Sequence, residues 1–459
     1  MLKPILLSGV IATALASSAA LAAPAKNVIF FLADGMGPTA VTAAQIYKVG
    51  EEGQLTMETL EYAARVKTFS NDAQTTDSAP SMAAYMTGVK MNNEVLSMSS
   101  DTLAEAPLKD ANGNKGLSGC ASNNGQAVPT LLELAKAQGK AVGAITTTEL
   151  THATPAATYS HICHRDAAYD IAAQAIPNGK GFNSALGDGV DVLMGGAANY
   201  WTPYDATSNK RGRADGRDLT AELRSQGYAS VTTKAELAAV DPAANDRLIG
   251  LFTKDYHLDY DLDRQKNAAS TQPSLAEMTS KAIDILKNKP EGFFLMVEGG
   301  RIDHALHGTN AKRALQDTVA FDNAIKTALA KVDLSNTLIV VTADHDHTMT
   351  FNGYSAKGNN ILDLVKEGPE KTIKRDINGN AITTLAFGNG PTRKDTRTDL
   401  TSDQVTADDY LQETGVKLGS ETHGGGDVML FASGANAELF KGTMDNTAVF
   451  AKVKSALGL

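Results

Sequence analysis

Leu338-Ile339-Val340-Val341-Thr342-Ala343-Asp344-His345-Asp346-His347 is the stretch whose reading decides the fold. Its apolar, β-branched first part reads as a strand buried on both faces, the pattern of a parallel sheet covered by helices. It stops in four residues that titrate or ligate metals. In open α/β sheets ligands sit in the crevice outside the carboxyl ends of the strands, so this tip points its chemistry there. Two other stretches repeat the arrangement. Asn27-Val28-Ile29-Phe30-Phe31-Leu32-Ala33 stops in Asp34-Gly35-Met36-Gly37-Pro38, with glycines for a tight turn and a proline for the first turn of the next helix. Gly292-Phe293-Phe294-Leu295-Met296-Val297 stops in Glu298. With helices alternating between such strands, the fold expected is α/β, a three-layer sandwich with a central, largely parallel sheet flanked by helices. Asp34, Glu298 and Asp344 then meet along one sheet edge.

Working outward, helices are expected around Leu55 to Ala64, Val128 to Gln138, Ser274 to Asn288 and Ala314 to Lys331. Further core strands are expected at Ala141 to Thr147, Asp191 to Gly196 and Val428 to Ala432. Arg211, Arg213 and Arg217 read as a solvated loop. Asp255, Asp259, Asp261 and Asp263 read as a charged exposed strand or an accessory cation site. Residues 352–420 are polar and rich in Gly, Thr and Asp, and look like an inserted subdomain.

The 459 residues suffice for one large α/β domain with insertions or for two domains. Formal net charge is −10. Such acidity argues against a nucleic-acid binder, whose affinity comes largely from cations on phosphates. Small anionic substrates stay possible, because bound divalent metals invert the sign locally. Residues 1–22 open with Lys3, continue in an apolar run from Ile5 to Leu21 and close in Ala20-Leu21-Ala22. That is the anatomy of a signal peptide cleaved after Ala22, and it predicts export to the periplasm or beyond. No later run is long enough to form a membrane anchor. In an exported chain the two cysteines, Cys120 and Cys163, suggest one disulfide.

Four more stretches carry chemistry. Ala73-Gln74-Thr75-Thr76-Asp77-Ser78-Ala79-Pro80-Ser81-Met82 is a polar loop running into a helix, so either Asp77 or Ser78 simply caps that helix or Ser78 is a nucleophile at its N-terminus. No general base lies nearby in sequence, so a metal has to activate it. After the strand ending at Thr147 come His152, Thr154 and Arg165. Gly299-Gly300-Arg301-Ile302-Asp303-His304-Ala305-Leu306-His307 sets Asp303 and His307 at i, i+4, on one helical face as a shared metal requires. Ser420-Glu421-Thr422-His423-Gly424-Gly425-Gly426-Asp427 offers His423 just before a strand. So many carboxylates in one crevice repel one another unless cations neutralise them. Mixed His and carboxylate ligands suit zinc, and carboxylates with a Thr hydroxyl suit magnesium.

FLADGMG, TTDSAPS, VEGGRIDHALH, VTADHDH and ETHGGGDV together resemble the alkaline phosphatase family across nearly the whole mature chain, 23–459. The resemblance implies hydrolysis of small phosphate monoesters at alkaline pH through a phosphoserine on Ser78, with Arg165 clamping the phosphate. It implies two zinc ions, one on Asp303, His307 and His423 and the other on Asp34, Asp344 and His345. A magnesium ion is implied on Asp34, Thr154 and Glu298. His152 and His304 lie near the metals through water, and His347 orients a ligand. The 352–420 segment resembles the family's crown insertion, so a homodimer is expected.

The chain departs from the pattern in places. His152 and His304 stand where some members carry Asp and Lys, and Gly426 replaces an acid common in that run. Thr253 lacks the carboxylate of a calcium site that some members hold near Phe252 to Asp263, so that site is not expected. A sulfatase or phosphodiesterase of the same superfamily is the nearest rival, but a sulfatase wants an arginine where Met82 stands. A non-catalytic zinc or phosphate binder is the rival of another class, and it has no need of Ser78 beside the metals.

Overall fold

The computed structural model describes residues 23–459; the signal peptide expected at 1–22 lies outside the described residues. A ten-stranded sheet runs through the chain in the order Gly442–Asp445, Tyr62–Lys67, Val428–Gly434, Thr337–Ala343, Asn27–Ala33, Phe293–Gly299, Ala141–Glu149, Val192–Gly196, Leu248–Leu251 and Ala229–Val231. Strands Thr337–Ala343 and Phe293–Gly299 are buried at every residue, and Asn27–Ala33 is buried from Val28 onward. That is why their sequences are unbroken apolar runs rather than alternations.

The layering follows from two neighbouring residues. Successive side chains of a strand point to opposite faces. Phe30 meets Tyr85 of helix Ser78–Thr87 with ring centroids 5.6 Å apart, while Phe31 meets Phe321 of helix Ala311–Leu329 edge-on at 5.8 Å. One helix therefore covers each face, which makes three layers. Each such fully buried Phe contributes roughly 1.5–3 kcal/mol.

All strands run in one direction except Val428–Gly434, which is antiparallel to both its neighbours, Thr337–Ala343 and Tyr62–Lys67. Register fixes what meets at the carboxyl edge. Ala33 pairs with Ala343, so Asp34 and Asp344 leave the sheet side by side. Glu298 pairs with Leu32 on one side and Thr146 on the other, within the same edge. Because Val428–Gly434 is reversed, with Phe431 opposite Val341, its beginning lies at the edge where the others end. The segment carrying His423 is delivered there for that reason.

Several expectations are corrected. Leu55 to Ala64 is not a helix: a short 3-10 turn, Thr56–Thr59, leads into strand Tyr62–Lys67, whose burial alternates with Ala64 and Val66 inward. Period two, not the helical period, governs there. Asp261 and Asp263 begin helix Asp261–Lys266 and pair with Arg264 at 2.5 Å and Arg313 at 2.9 Å, so cations of the chain satisfy them. Arg213 is not solvated; it is 4% exposed, donates to the Tyr169 and Tyr200 carbonyls and pairs with Asp215.

Within 352–420, Leu364, Ala381 and Val405 form a small apolar cluster of their own. Cys120 and Cys163 are joined as expected, with Cα atoms 5.8 Å apart. Among the described residues no helix is long and apolar enough to cross a membrane.

Candidate active site

Ser78 opens helix Ser78–Thr87, and Asp77 caps it by accepting the Ala79 N–H at 2.8 Å. The cap therefore falls to Asp77 and leaves the adjacent Ser78 hydroxyl at the helix N-terminus. Ser78 is 2% exposed, and its Oγ lies 3.2 Å from His345 Nε2 and 3.4 Å from Asp34 Oδ1. Asp77 also accepts from Arg165 Nη1 at 2.7 Å, which ties the guanidinium to the serine's own loop. Arg165 Nη2 reaches His152 Nε2 at 3.1 Å.

Around the hydroxyl lie three groups whose ligand atoms come within 4.8 Å of one another: Asp34, Asp344 and His345; Asp303, His307, His347 and His423; and Asp34, His152 and Glu298. The short helix Arg301–His307 brings His307 Nε2 within 3.3 Å of Asp303 Oδ1. His423 Nε2 is 3.1 Å from His307 Nε2 and 3.5 Å from Asp303 Oδ1, and its ring stacks on His345 at 3.5 Å. Such crowding of ring nitrogens is repulsive unless something shares their lone pairs.

The tautomers follow from the partners. His307 Nδ1 faces the Glu421 carbonyl at 2.6 Å, His423 Nδ1 the Thr76 carbonyl at 2.8 Å, and His345 Nδ1 the Asp346 carbonyl at 3.2 Å. A carbonyl only accepts, so each Nδ1 carries the proton and each Nε2 turns a lone pair inward, as metal-ligating imidazoles do. His347 differs. Its Nε2 lies 2.7 Å from Asp303 Oδ1 and its Nδ1 2.6 Å from Glu421 Oε2, so both nitrogens are occupied by carboxylates.

Glu298 accepts from Thr146 and Thr148, yet its Oε1 has no partner. Asp34 Oδ2, Asp344 Oδ2 and Thr154 Oγ1 are likewise buried with no partner. Buried polar atoms are almost always paired, so several orphans converging on one place call for a ligand that can bind oxygen. Metal cations meet that need, and the donor set of carboxylate oxygens, a hydroxyl and imidazole nitrogens suits zinc and magnesium. The protonation energetics agree. Burial, then Asp344, pushes the Asp34 carboxyl well above its ordinary range, and burial pushes Glu298 up to about 7 against the Thr146 hydrogen bond. Burial, then His423, holds His345 well below the usual imidazole range.

The remaining predicted residues are also here. His304 and His152 approach with ring centroids 5.5 Å apart. Two residues of the cluster escaped the sequence analysis. Glu421 was within a quoted motif but is a common acid in a polar run, and nothing near it signals that it is buried beneath His347. His257 stacks on His304 at 4.2 Å and accepts the Glu149 N–H at 3.0 Å; a lone histidine in a charged stretch gives no such signal.

The family model described as alkaline phosphatase matches residues 25–459. The alkaline phosphatase of Gadus morhua is 38% identical over 446 residues, covering 91% of this chain and 88% of that protein. The tissue-nonspecific isozyme of Homo sapiens is 37% identical over 461 residues, covering 93% of this chain and 82% of that one. Among solved structures, the Thermus thermophilus alkaline phosphatase superposes with a TM-score of 0.70 at 26% identity, over 95% of this chain and 92% of that one. The enzyme of the Antarctic bacterium TAB5, at 23% identity, shares the fold with a TM-score of 0.66, over 95% of this chain and 99% of its own.

Proposed function

The chain belongs to the alkaline phosphatase family, metal-dependent enzymes that hydrolyse phosphate monoesters, and from that premise we propose a phosphoserine mechanism on Ser78 with two zinc ions and one magnesium ion, working at alkaline pH. The observation that carries this reading is the ring of unpartnered carboxylate oxygens and inward Nε2 lone pairs around a single buried hydroxyl. Zinc is assigned to Asp303, His307 and His423 and to Asp34, Asp344 and His345, and magnesium to Asp34, Thr154 and Glu298. When bound, these ions supply Lewis acidity that lowers the pKa of a hydroxyl or water and neutralises charge on the transferring phosphoryl group.

The chain's own residues do the rest. Ser78 Oγ attacks phosphorus in line with the ester oxygen, which leaves as the alcohol; water then displaces Ser78 Oγ and releases inorganic phosphate. Arg165 donates two N–H groups to non-bridging phosphate oxygens, and Asp77 fixes the plane of its guanidinium. The N-terminus of helix Ser78–Thr87 adds free N–H groups and the positive end of its dipole. His345, whose basicity burial depresses, is a poor general base but a good ligand, which supports activation by metal rather than by imidazole. His347, held by Asp303 and Glu421, orients Asp303. His152 and His304 act through water.

The same reading makes 352–420 a crown insertion that meets its counterpart in a homodimer; apolar side chains exposed in and beside it, Phe351, Tyr354, Val416 and Leu418, support that. It makes residues 1–22 a cleaved signal peptide, and the disulfide fits an oxidising compartment. Ser78→Ala should lower kcat at least roughly 10³-fold while the metals stay bound. Acid quenching with a labelled ester should trap phosphate on Ser78, and label on any other residue refutes the mechanism.

A further inference from the structure

A polar cavity of about 450 Å³ shares Arg165 and His152 with the active site, and most of its remaining lining has no role in the mechanism above. Two of those residues are cations. Arg211 donates to the Tyr200 hydroxyl at 3.3 Å, lies 4.6 Å over the Tyr256 ring, and has its backbone carbonyl held by the Tyr169 hydroxyl at 2.7 Å. Its guanidinium is thus placed by aromatic contacts rather than by an acid. Among the described residues neither Arg211 nor Lys115 has a carboxylate within salt-bridge distance, whereas Arg165 has Asp77. The third feature is Thr151, which lines the cavity, is 2% exposed, and whose Oγ1 is buried without a hydrogen-bond partner. A preorganised arginine, a free lysine and an orphaned hydroxyl are what an anion with several acceptor oxygens requires.

We propose that this cavity is a subsite for a second anionic group borne by the substrate, so that phosphate monoesters carrying a further phosphate or carboxylate are the preferred class. This rests on the phosphomonoesterase reading and specifies its substrate. Two carboxylates also line the cavity: Asp166, exposed, and Glu149, largely buried. Burial pushes Glu149 up to about 7, with Arg211 pulling the other way, so at alkaline pH its charge opposes a bound anion and sets the strength of the subsite. That opposition gives the test two arms of opposite sign.

The test compares initial kcat/KM for a short alkanediol bisphosphate and for the matching alkanol monophosphate, on the full metal-loaded enzyme at alkaline pH. Arg211→Gln should lower the bisphosphate value about tenfold, the loss of one charge-assisted hydrogen bond, and leave the monophosphate value within about twofold. Glu149→Gln should raise the bisphosphate value several-fold with the monophosphate again unchanged, a gain that a folding defect does not produce. Equal effects on both esters, or no rise with Glu149→Gln, overturn the subsite. If Arg211→Gln weakens inhibition by inorganic phosphate but spares the bisphosphate, the cavity holds free phosphate and the substrate reading is refuted. A wild-type enzyme that releases phosphate from neither ester overturns the parent reading as well, which separates the two failures.

Discussion

Glu421 gives the sharpest test of how the site is held. Its carboxylate is buried, with Oε2 accepting from His347 Nδ1 at 2.6 Å and Oε1 from the Thr348 N–H at 2.7 Å and hydroxyl at 2.5 Å. Burial alone pushes the His347 imidazole down, but hydrogen bonds to Asp303 and Glu421 outweigh it and raise it to about 10. In the metal-free protein His347 is therefore an imidazolium clamped between two carboxylates, and it fixes Asp303. Glu421→Ala leaves the imidazolium and both Thr348 donors without an acceptor in a closed site. Truncating one partner of such a buried pair costs about 3–5 kcal/mol.

Glu421→Gln is milder and more informative. Its carbonyl oxygen keeps Thr348, but its amide meets the His347 Nδ1–H donor to donor, so His347 must give up that proton and accept instead. The charge is lost, and a charge-assisted bond becomes an ordinary one, a cost of about 1–2 kcal/mol. Because the wild-type group is raised, this cost is full below the unfolded imidazole value, about pH 6.5, and fades as pH rises through about 10. With Asp303 less firmly oriented, zinc affinity should fall roughly 10–100-fold, or about 1.4–2.7 kcal/mol. Urea unfolding of the metal-free protein reads the first figure, chelator competition the second, and NMR titration of the His347 ring the charge. A Glu421→Gln protein that binds zinc within twofold of wild type and keeps His347 charged at about pH 9 refutes the reasoning.

Other consequences are simpler to state. Asp317 is buried, and burial, then Asp261, pushes its carboxyl up to about 8, so the folded chain holds an extra proton between about pH 4 and pH 8 and loses stability across that window. Asp317→Asn should match wild type near pH 4 and exceed it above about pH 8 in urea unfolding; a pH-independent difference excludes this. Glu298 is likewise raised by burial, so the magnesium proposed there would have to displace a proton, and its activation constant should weaken up to about tenfold per pH unit below neutrality while Glu298→Gln shows a flatter profile. Cys163 lies two residues before Arg165, so the Cys120→Ser, Cys163→Ser double variant should lose about 2–4 kcal/mol and raise KM more than it lowers kcat; an unchanged KM means that the bridge does not position the arginine.

What could be read from the sequence divides along physical lines. The strands ending in Asp34, Glu298 and Asp344 are legible because burial on both faces demands an unbroken apolar run, and the polar residue that ends the run marks the sheet edge. Asp303 and His307 are legible because helical spacing alone stacks them. Direction is not legible. The Val428–Gly434 run looks like the parallel strands of the sheet, and only its pairing with Val341 shows that it is reversed and starts at the edge where they end, which is what makes His423 a neighbour of His345 rather than a loop residue on the far side. Strand Tyr62–Lys67, second from the edge of the sheet, is short and alternates, and its alanines and lysine also suit a helix. Arg213 and Arg211 show that charge in a loop says little about solvation, since one is buried on carbonyls and the other rests on aromatic rings.

The least legible feature is the one that most constrains the chemistry. Three imidazoles turn Nε2 inward because three backbone carbonyls, of Thr76, Asp346 and Glu421, hold their Nδ1 protons. Every residue carries a carbonyl, so no pattern of side chains announces which ones will serve. All three belong to residues within the quoted motifs, yet only as backbone, and Glu421 lends both its carbonyl to His307 and its side chain to His347. Glu421, two residues from His423, thus fixes two rings at once, and replacement of its carboxylate by an amide should disturb His347 while sparing the tautomer of His307. A change in the His307 ring resonances on Glu421→Gln as large as that of His347 would show that the side chain, 3.7 Å away, and not the backbone carbonyl, carries the orientation of His307.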